Sequence, residues 1–370
     1  MKQESIGVDL FAGAGGLSLG FEKAGFRIIY ALERDKYAAE TYKRNRNGST
    51  IVDVTDILDT KPEETLKRLR INKGDLDIVV GGPPCQGFSI TNMRTRNRDN
   101  PANQLVYSFY DFVTQTQPKW FLMENVAGLQ NFDNGSVRNK LLELFGRRGY
   151  ESKAVVLDAS SFGVPQVRKR VFFIGNRVNR PLDFLHDLAK KSVSSPVTVR
   201  QAIDDLPLIQ SANSTDPIPY SKNQVDTTTY QGSMRLGNVK VVFNNYVSRN
   251  NAIVLERYKH IRQGENLKVL AQRKPELLGN YHNLDSCHQW IYLRLRWDRP
   301  SVVISNYRKN MLIHPEQNRG LSVREAARLQ SFPDRYIFYG VPGSQQQQVA
   351  NAVPPLLAYA LAVTIKGAME

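Results

Sequence analysis

Ile6-Gly-Val-Asp-Leu-Phe-Ala-Gly-Ala-Gly-Gly16 decides the fold. Ile6 to Phe11 alternates as a strand does, the glycines form a tight turn, and Leu17, Phe21 and Ala24 recur at helical spacing up to a C-capping Gly25. Strand, glycine turn and helix make the first half of a βαβ unit. Glycines there let a cofactor approach the backbone at the helix N-terminus. Gly13-x-Gly15-Gly16 lacks the third glycine of the dinucleotide pattern G-x-G-x-x-G, which disfavours a nicotinamide enzyme. A second strand, Arg27 to Glu33, ends in a carboxylate about 20 residues after the glycines, where Rossmann-like folds bind ribose hydroxyls. Read alone, Glu33 is equally a charge at a helix N-terminus beside Asp35. A short third strand, Ile51 to Thr55, carries Asp53 at its tip, a candidate partner for a purine amino group.

Downstream, the apolar run Asp77-Ile-Val-Val80 leads into Gly81-Gly-Pro-Pro-Cys-Gln-Gly-Phe-Ser89. Two glycines and two prolines force an irregular turn, which presents Cys85 at the carboxyl end of a strand, the edge where open α/β sheets bind ligands. Taken singly, such a cysteine is more often a small buried hydrophobe. The polar loop that follows carries Arg94, Arg96 and Arg98, suited to phosphate contacts or simply solvated. After a helix over Leu105–Thr116, the strand Lys119-Trp-Phe-Leu-Met-Glu-Asn-Val126 ends in an acid and an amide. Burial at that edge would raise the pKa of Glu124 and let it carry a proton at neutral pH. Glu151–Asp158 and Arg170–Gly175 read as further strands. Between them Gln166-Val-Arg-Lys-Arg170 places Arg168 and Arg170 on one face by alternation, a fork for a carbonyl oxygen or a phosphate, against the alternative of a solvated charge run.

A chain of 370 residues suggests about two domains. No run approaches 18 apolar residues and the first residues lack a signal-peptide core, so an intracellular, soluble protein is expected. Two cysteines, Cys85 and Cys287, make no disulfide framework, and Cys287 with His282 and His288 has no metal-ligand spacing. Fifty Lys and Arg against 35 Asp and Glu leave +15, of which residues 180–320 hold +8 (20 basic, 12 acidic). That excess implies a polyanionic partner, and with no basic amphipathic helix or lipidation signal, nucleic acid is favoured over membrane. The βα alternation stops at 176–182. Beyond it lie a short strand at Lys240–Phe243, a helix around Asn251–Gln263, and Trp290-Ile-Tyr-Leu-Arg-Leu-Arg-Trp-Asp-Arg299, whose interleaved basic and aromatic residues suit a nucleic-acid surface or, for the aromatics, a core. Regular structure returns at Leu321–Gln330, where Ser322 and Glu325 form a capping box. An asparagine-bearing turn and apolar helix over Gln345–Ala362 are expected to pack back onto the N-terminal sheet.

In their order these blocks resemble the DNA (cytosine-5) methyltransferases: Asp9–Gly16, Glu33, Asp53, Gly82–Ser89, Glu124–Val126, Gln166–Arg170, Arg319–Asp334 and Asn351–Pro354. The resemblance implies an α/β, Rossmann-like doubly wound and mostly parallel sheet, the S-adenosylmethionine-dependent methyltransferase fold, with a smaller mixed target-recognition domain. It divides the chain into a catalytic domain at 1–178, a recognition domain at 179–318, a hinge and helix at 319–340, and a returning C-terminal helix at 341–370. S-adenosylmethionine would lie over Phe11, Gly13 and Gly15, with Glu33 on its ribose and Asp53 on its adenine. Pro84, Leu105, Asn351 and Val353 would complete that pocket. Cys85 is then the nucleophile, Glu124 the group that meets the base at N3 and the amino group, and Arg168 with Arg170 the clamp on base carbonyl and acid. The partner implied is double-stranded DNA, bound by a monomer in a bacterial or phage cytoplasm, with restriction or defence-system proteins as candidate companions. Two departures, Ala350 for glycine before the asparagine and Val302-Val303 for Pro-Thr, bear on the C-terminal helix and the hinge. An RNA methyltransferase of the same family and a non-catalytic DNA-binding relative stay open as alternatives.

Overall fold

The computed structural model describes residues 4–84, 101–190 (side chains from 104), 193–209, 216–220, 226–237, 240–279, 281, 287, 289–305, 307 and 311–370. They fall into two compact units. The first comprises Met1–Phe162, Lys169–Ser192 and Ala352–Glu370, the second Gly163–Arg168 and Val193–Asn351.

Seven strands form the sheet of the first unit: β1 (Ser5–Leu10), β2 (Phe26–Leu32), β3 (Ile51–Asp53), β4 (Ile78–Gly81), β5 (Trp120–Val126), β6 (Glu151–Asp158) and β7 (Lys169–Asn176), in the order β3-β2-β1-β4-β5-β7-β6. β1 to β5 run parallel, and β7 lies antiparallel between β5 and β6. The doubly wound, mostly parallel α/β architecture expected from the motifs is therefore present. Strands covered on both faces need side chains apolar on both, and β4 is buried at all four positions. The crossover helices α1 (Gly16–Lys23), α2 (Lys36–Arg44), α3 (Pro62–Leu69), α4 (Pro101–Thr116) and α5 (Ser136–Gly146) follow β1 to β5 in turn, and α6 (Phe184–Lys190) follows β7. On one face Val8, Leu10, Val79, Phe121 and Phe173 pack against Phe109, Val113, Leu141 and Phe145 of α4 and α5, and the Phe121 and Phe145 rings stack with centroids 4.0 Å apart.

In the second unit the described regular structure is slight: α7 (Val199–Ile203), α8 (Tyr230–Met234), α9 (Ala252–Lys259), α10 (Leu267–Arg273), α11 (Val323–Leu329), α12 (Pro342–Asn351), and a two-stranded sheet of β8 (Ile218–Pro219) with β9 (Val241–Val242). Buried carbonyls outside helices and sheets still need donors, and arginine offers five in a rigid fork. Arg294 binds the carbonyls of Tyr258, Ile261, His314 and Gln317 and the side chain of Asn318. Arg324 takes the carbonyls of Phe243, Pro333 and Tyr336. Arg328 grips both oxygens of Asp334 at 2.6 and 2.7 Å. The stretch Trp290–Arg299 is corrected accordingly: Tyr292, Arg294, Leu295 and Trp297 are buried, and Arg296 is bidentate to Asp298. Tyr292, Arg294 and Trp297 therefore belong to a core, whereas Arg296 and Arg299 keep 40% and 61% of their side chains exposed. Ser322 and Glu325 do form the capping box of α11.

The segments expected to link the domains and return, 319–351, belong to the compact second unit, and the return begins at Ala352. The apolar stretch Pro342–Met369 would be long enough for a membrane span by composition. It is broken between Asn351 and Pro355, and α13 (Pro355–Met369) buries Leu357, Leu361 and Ile365 in the first unit, packed on α1. There a Cβ on Gly20 would come within 2.4 Å of that of Ala358, so Gly20 admits the close approach.

Candidate active site

The Ala12–Gly15 turn leaves β1 where strand hydrogen bonding ends. Gly15 N–H donates to the Ala12 carbonyl at 2.8 Å, and Phe11, Gly13 and Gly15 all have positive φ (58°, 54° and 83°). The two glycines serve different ends. A Cβ on Gly15 would sit 2.7 Å from both the Arg46 guanidinium and the Tyr42 ring, so the residue is small because the protein packs against it. Among the described residues nothing lies within 4 Å of a Cβ position on Gly13, so that is where a ligand can reach the backbone. Glu33, just past β2, accepts Gly13 N–H on Oε2 and Asp35 N–H on Oε1, both at 2.7 Å. The carboxylate keeps acceptor capacity for an incoming hydroxyl. Burial pushes the Glu33 carboxyl above its ordinary pKa, against the opposing pull of the Asp35, Gly13 and Arg34 N–H donors. Asp53, at the end of β3, is already engaged: Arg68 Nη1 donates to both its oxygens at 2.6 and 2.7 Å and Tyr30 Oη to Oδ2 at 2.9 Å. Leu105 on α4 and Phe11 pack partly buried against the core of this unit, Val353 is buried in it, and Pro84 is exposed.

At the same edge, two strands away, β5 and β7 bring a second set together. Val126 pairs with Arg170, so Glu124, two residues back along β5, shares the face of Arg170 on the diagonal. Arg170 Nε stands 2.9 Å from Glu124 Oε1, with side chains 14% and 12% exposed. Burial lowers the Arg170 pKa, an effect that the Glu124 charge opposes. Glu124 Oε2 lies 3.1 Å from where a Cβ on Gly82 would be, and the buried Asn125 amide donates to the Pro83 carbonyl at 3.1 Å. The amide thus holds the backbone at Pro83, and the acid sits over Gly82. Cys85 itself, with Arg94, Arg96 and Arg98, lies outside the described residues.

Arg168 does not join this set. β7 begins at Lys169, so strand alternation does not extend to Arg168. Its buried guanidinium donates instead to the carbonyls of Ile304 (3.2 Å) and Ala350 (3.1 Å) within the second unit. Gln166 is likewise spent there, accepting from Ile304 N–H and donating to the Leu329 carbonyl. The expected two-arginine fork reduces to Arg170 alone among the described residues. Asn351 closes α12 in the second unit, where Gln347 donates to its side chain at 2.7 Å. The sequence reading missed a buried cluster beneath the glycine turn. Asp9 accepts from Ser18 Oγ at 2.5 Å, Ser18 meets Tyr42 Oη at 2.8 Å, and the Arg46 guanidinium lies 3.5 Å from the centroid of the Tyr42 ring. The available signal was Tyr42 and Arg46 at the i, i+4 spacing of a helix end.

Over residues 6–367 the sequence matches the family model of the C-5 cytosine-specific DNA methylases. It is 35% identical to the type II methyltransferase M.DdeI of Desulfomicrobium norvegicum, over 98% of this chain and 89% of that one. It is also 35% identical to the type II methyltransferase M1.HphI of Haemophilus parahaemolyticus, over 97% and 86%. Among solved structures, a prophage-encoded protein of E. coli described as a DNA modification methyltransferase aligns with a TM-score of 0.79 and 27% identity over 99% of both chains. The Dnmt2 methyltransferase of S. pombe aligns at 0.60 with 13% identity over 98% and 99%, a likeness of fold alone.

Proposed function

Because the chain belongs to the C-5 cytosine-specific DNA methylase family and is a DNA cytosine-5-methyltransferase, we propose that it carries a methyl group from S-adenosylmethionine to carbon-5 of a cytosine flipped out of duplex DNA, with Cys85 as covalent nucleophile. The observation that carries this reading is the Glu124–Arg170 pair, set over Gly82 at the carboxyl edge of the sheet. A carboxyl group there can pass its proton to N3 as negative charge builds on the ring, and the Arg170 guanidinium beside it offsets the carboxylate that is left. Positioned proton transfer of this kind is worth on the order of 10²–10⁴ in rate.

The glycine turn fits the cofactor. Gly13 is open and Glu33 has acceptor capacity for ribose hydroxyls, with Asp53 beside it for the adenine amino group, in a carboxylate shared with Arg68 and Tyr30. Phe11, Pro84, Leu105, Asn351 and Val353 are the further residues assigned to that pocket. When bound, the cofactor supplies an electrophilic methyl on a sulfonium. The protein's part is to make carbon-5 nucleophilic: the Cys85 thiolate adds to carbon-6, and loss of the carbon-5 proton afterwards expels it. A thiol of ordinary pKa is only about 3% thiolate at pH 7, so nearby positive charge matters. Arg170 orients Glu124 and keeps a cation beside the ring.

Taking the base out of the stack costs a few kcal/mol, which phosphate contacts from a chain of net charge +15 can offset. The type II names of the relatives support a restriction–modification setting. The deciding experiment is Cys85→Ser in a tritium-transfer assay on duplex DNA with a parallel gel-shift: transfer is expected to vanish while DNA binding persists. Transfer at the wild-type rate would refute the nucleophile assignment.

A further inference from the structure

The glycine turn is held at both ends. At its entrance Glu33 takes the Gly13 N–H. At its exit Arg46 Nη2 donates to the Gly15 carbonyl at 3.3 Å, while Nη1 donates to the Tyr42 carbonyl at 3.2 Å and Nε to Glu22 Oε1 at 2.7 Å. The Arg46 side chain is 7% exposed and its guanidinium stacks on the Tyr42 ring. Gly15 opens α1 in a left-handed conformation (φ 83°, ψ 26°) with no side-chain cap, so nothing in its own residue fixes the exit. A cation beside a helix N-terminus also opposes the helix dipole, so this placement is not one that helix stability favours. Glu22 supplies the compensating charge from α1 itself.

We propose that Arg46 is a positioning residue for the donor cofactor: by clamping the Gly15 carbonyl it holds the turn in the shape that leaves Gly13 accessible, and Glu22 aims it. This rests on the cofactor reading of the turn given above. Preorganising a loop strengthens binding by removing the ordering that the ligand would otherwise impose. Loss of Arg46 therefore weakens cofactor binding more than it slows the bond-making steps at Cys85 and Glu124, to which it makes no direct contribution.

The test uses the full-length enzyme and S-adenosylmethionine itself, with binding by calorimetry and steady-state methyl transfer on duplex DNA. Arg46→Met is expected to raise both the Kd and the KM for the cofactor about tenfold, roughly the worth of one hydrogen bond to a charged group, with a much smaller change in kcat. Glu22→Gln, which leaves the Arg46 stem and its stacking intact, should weaken binding in the same direction by a smaller factor, and Arg46→Lys should recover part of the loss. If Arg46→Met does not fold, Glu22→Gln and Arg46→Lys decide the matter. Cofactor affinity equal to wild type in both of those variants overturns the inference, as does an equal fall in kcat and affinity that merely tracks a lowered Tm. Wild-type protein that binds no S-adenosylmethionine overturns the cofactor reading first, and is told apart because no variant is needed to see it.

Discussion

Asp9 offers the sharpest test of the buried cluster. Its carboxyl is 1% exposed, Oδ2 accepts from Ser18, and Oδ1 has no hydrogen-bond partner among the described residues. Burial pushes its pKa from 3.8 up to about 7, against the lowering effects of the Ser18 bond and the Arg46 charge. The folded state therefore holds this proton more tightly than the unfolded chain. The stabilisation is complete below about pH 4 and is lost as pH rises to about 7, at about 1.4 kcal/mol per pH unit, or about 4 kcal/mol in all. Asp9→Asn keeps the shape and cannot ionise. Its own offset, an amide with donors to place, is independent of pH. Other groups slope the opposite way: burial pushes His314 down to about 4, so its contribution grows as pH rises through 4 to 6.5. Subtracting the variant's profile from that of the wild type removes them. Urea unfolding followed by circular dichroism at half-unit steps from pH 5 to 8 should show the variant gaining on the wild type by about 1.4 kcal/mol per unit up to about pH 7 and then levelling. A difference that stays constant across pH 5–8 would show that Asp9 does not hold a proton in the folded state.

Glu124→Gln should retain cofactor binding and lose about 10²–10⁴ of the methyl-transfer rate, read by single-turnover tritium transfer; a loss under threefold would remove Glu124 from the chemistry. Gly13→Ala meets open space at a left-handed φ, so it should cost only about 1 kcal/mol in unfolding while cutting cofactor affinity by more than tenfold. Gly15→Ala, which drives a methyl into Arg46 and Tyr42, should instead lower the Tm markedly, and the order reversed would contradict the roles assigned to the two glycines. In the second unit, Asp334→Ala removes one of the two carboxylates on the buried Arg328, Asp205 remaining, and should destabilise that unit by about 1.5–3 kcal/mol in urea unfolding, the worth of hydrogen bonds to a charged group. A change below 1 kcal/mol would mean that the pair is not the anchor its geometry indicates.

Strand, turn and helix of the first unit were legible because they are written locally. The alternation of Ile6–Phe11, the apolar run before Gly81 and the capping box at Ser322 are each short-range patterns, and the structure realises them within a residue or two. The place of Glu33 at the end of β2, about 20 residues after the glycines, was legible too, but its bonds to the Gly13 and Asp35 N–H groups were not. What alternation could not tell was where β7 begins and which way it runs. Arg168 and Arg170 are two apart in sequence, yet Arg170 lies in the antiparallel β7 beside Glu124 while Arg168 is held by the carbonyls of Ile304 and Ala350, 136 and 182 residues away. Which arginines of the second unit are buried was illegible for the same reason. Composition counts an arginine as surface, whereas Arg294, Arg324 and Arg328 are buried because the irregular chain around them leaves carbonyls that only a many-fingered donor can satisfy. Local order was therefore decided by the sequence, and the partners of each buried charge by tertiary structure, because a carbonyl in need of a donor exists only once distant segments have been brought together.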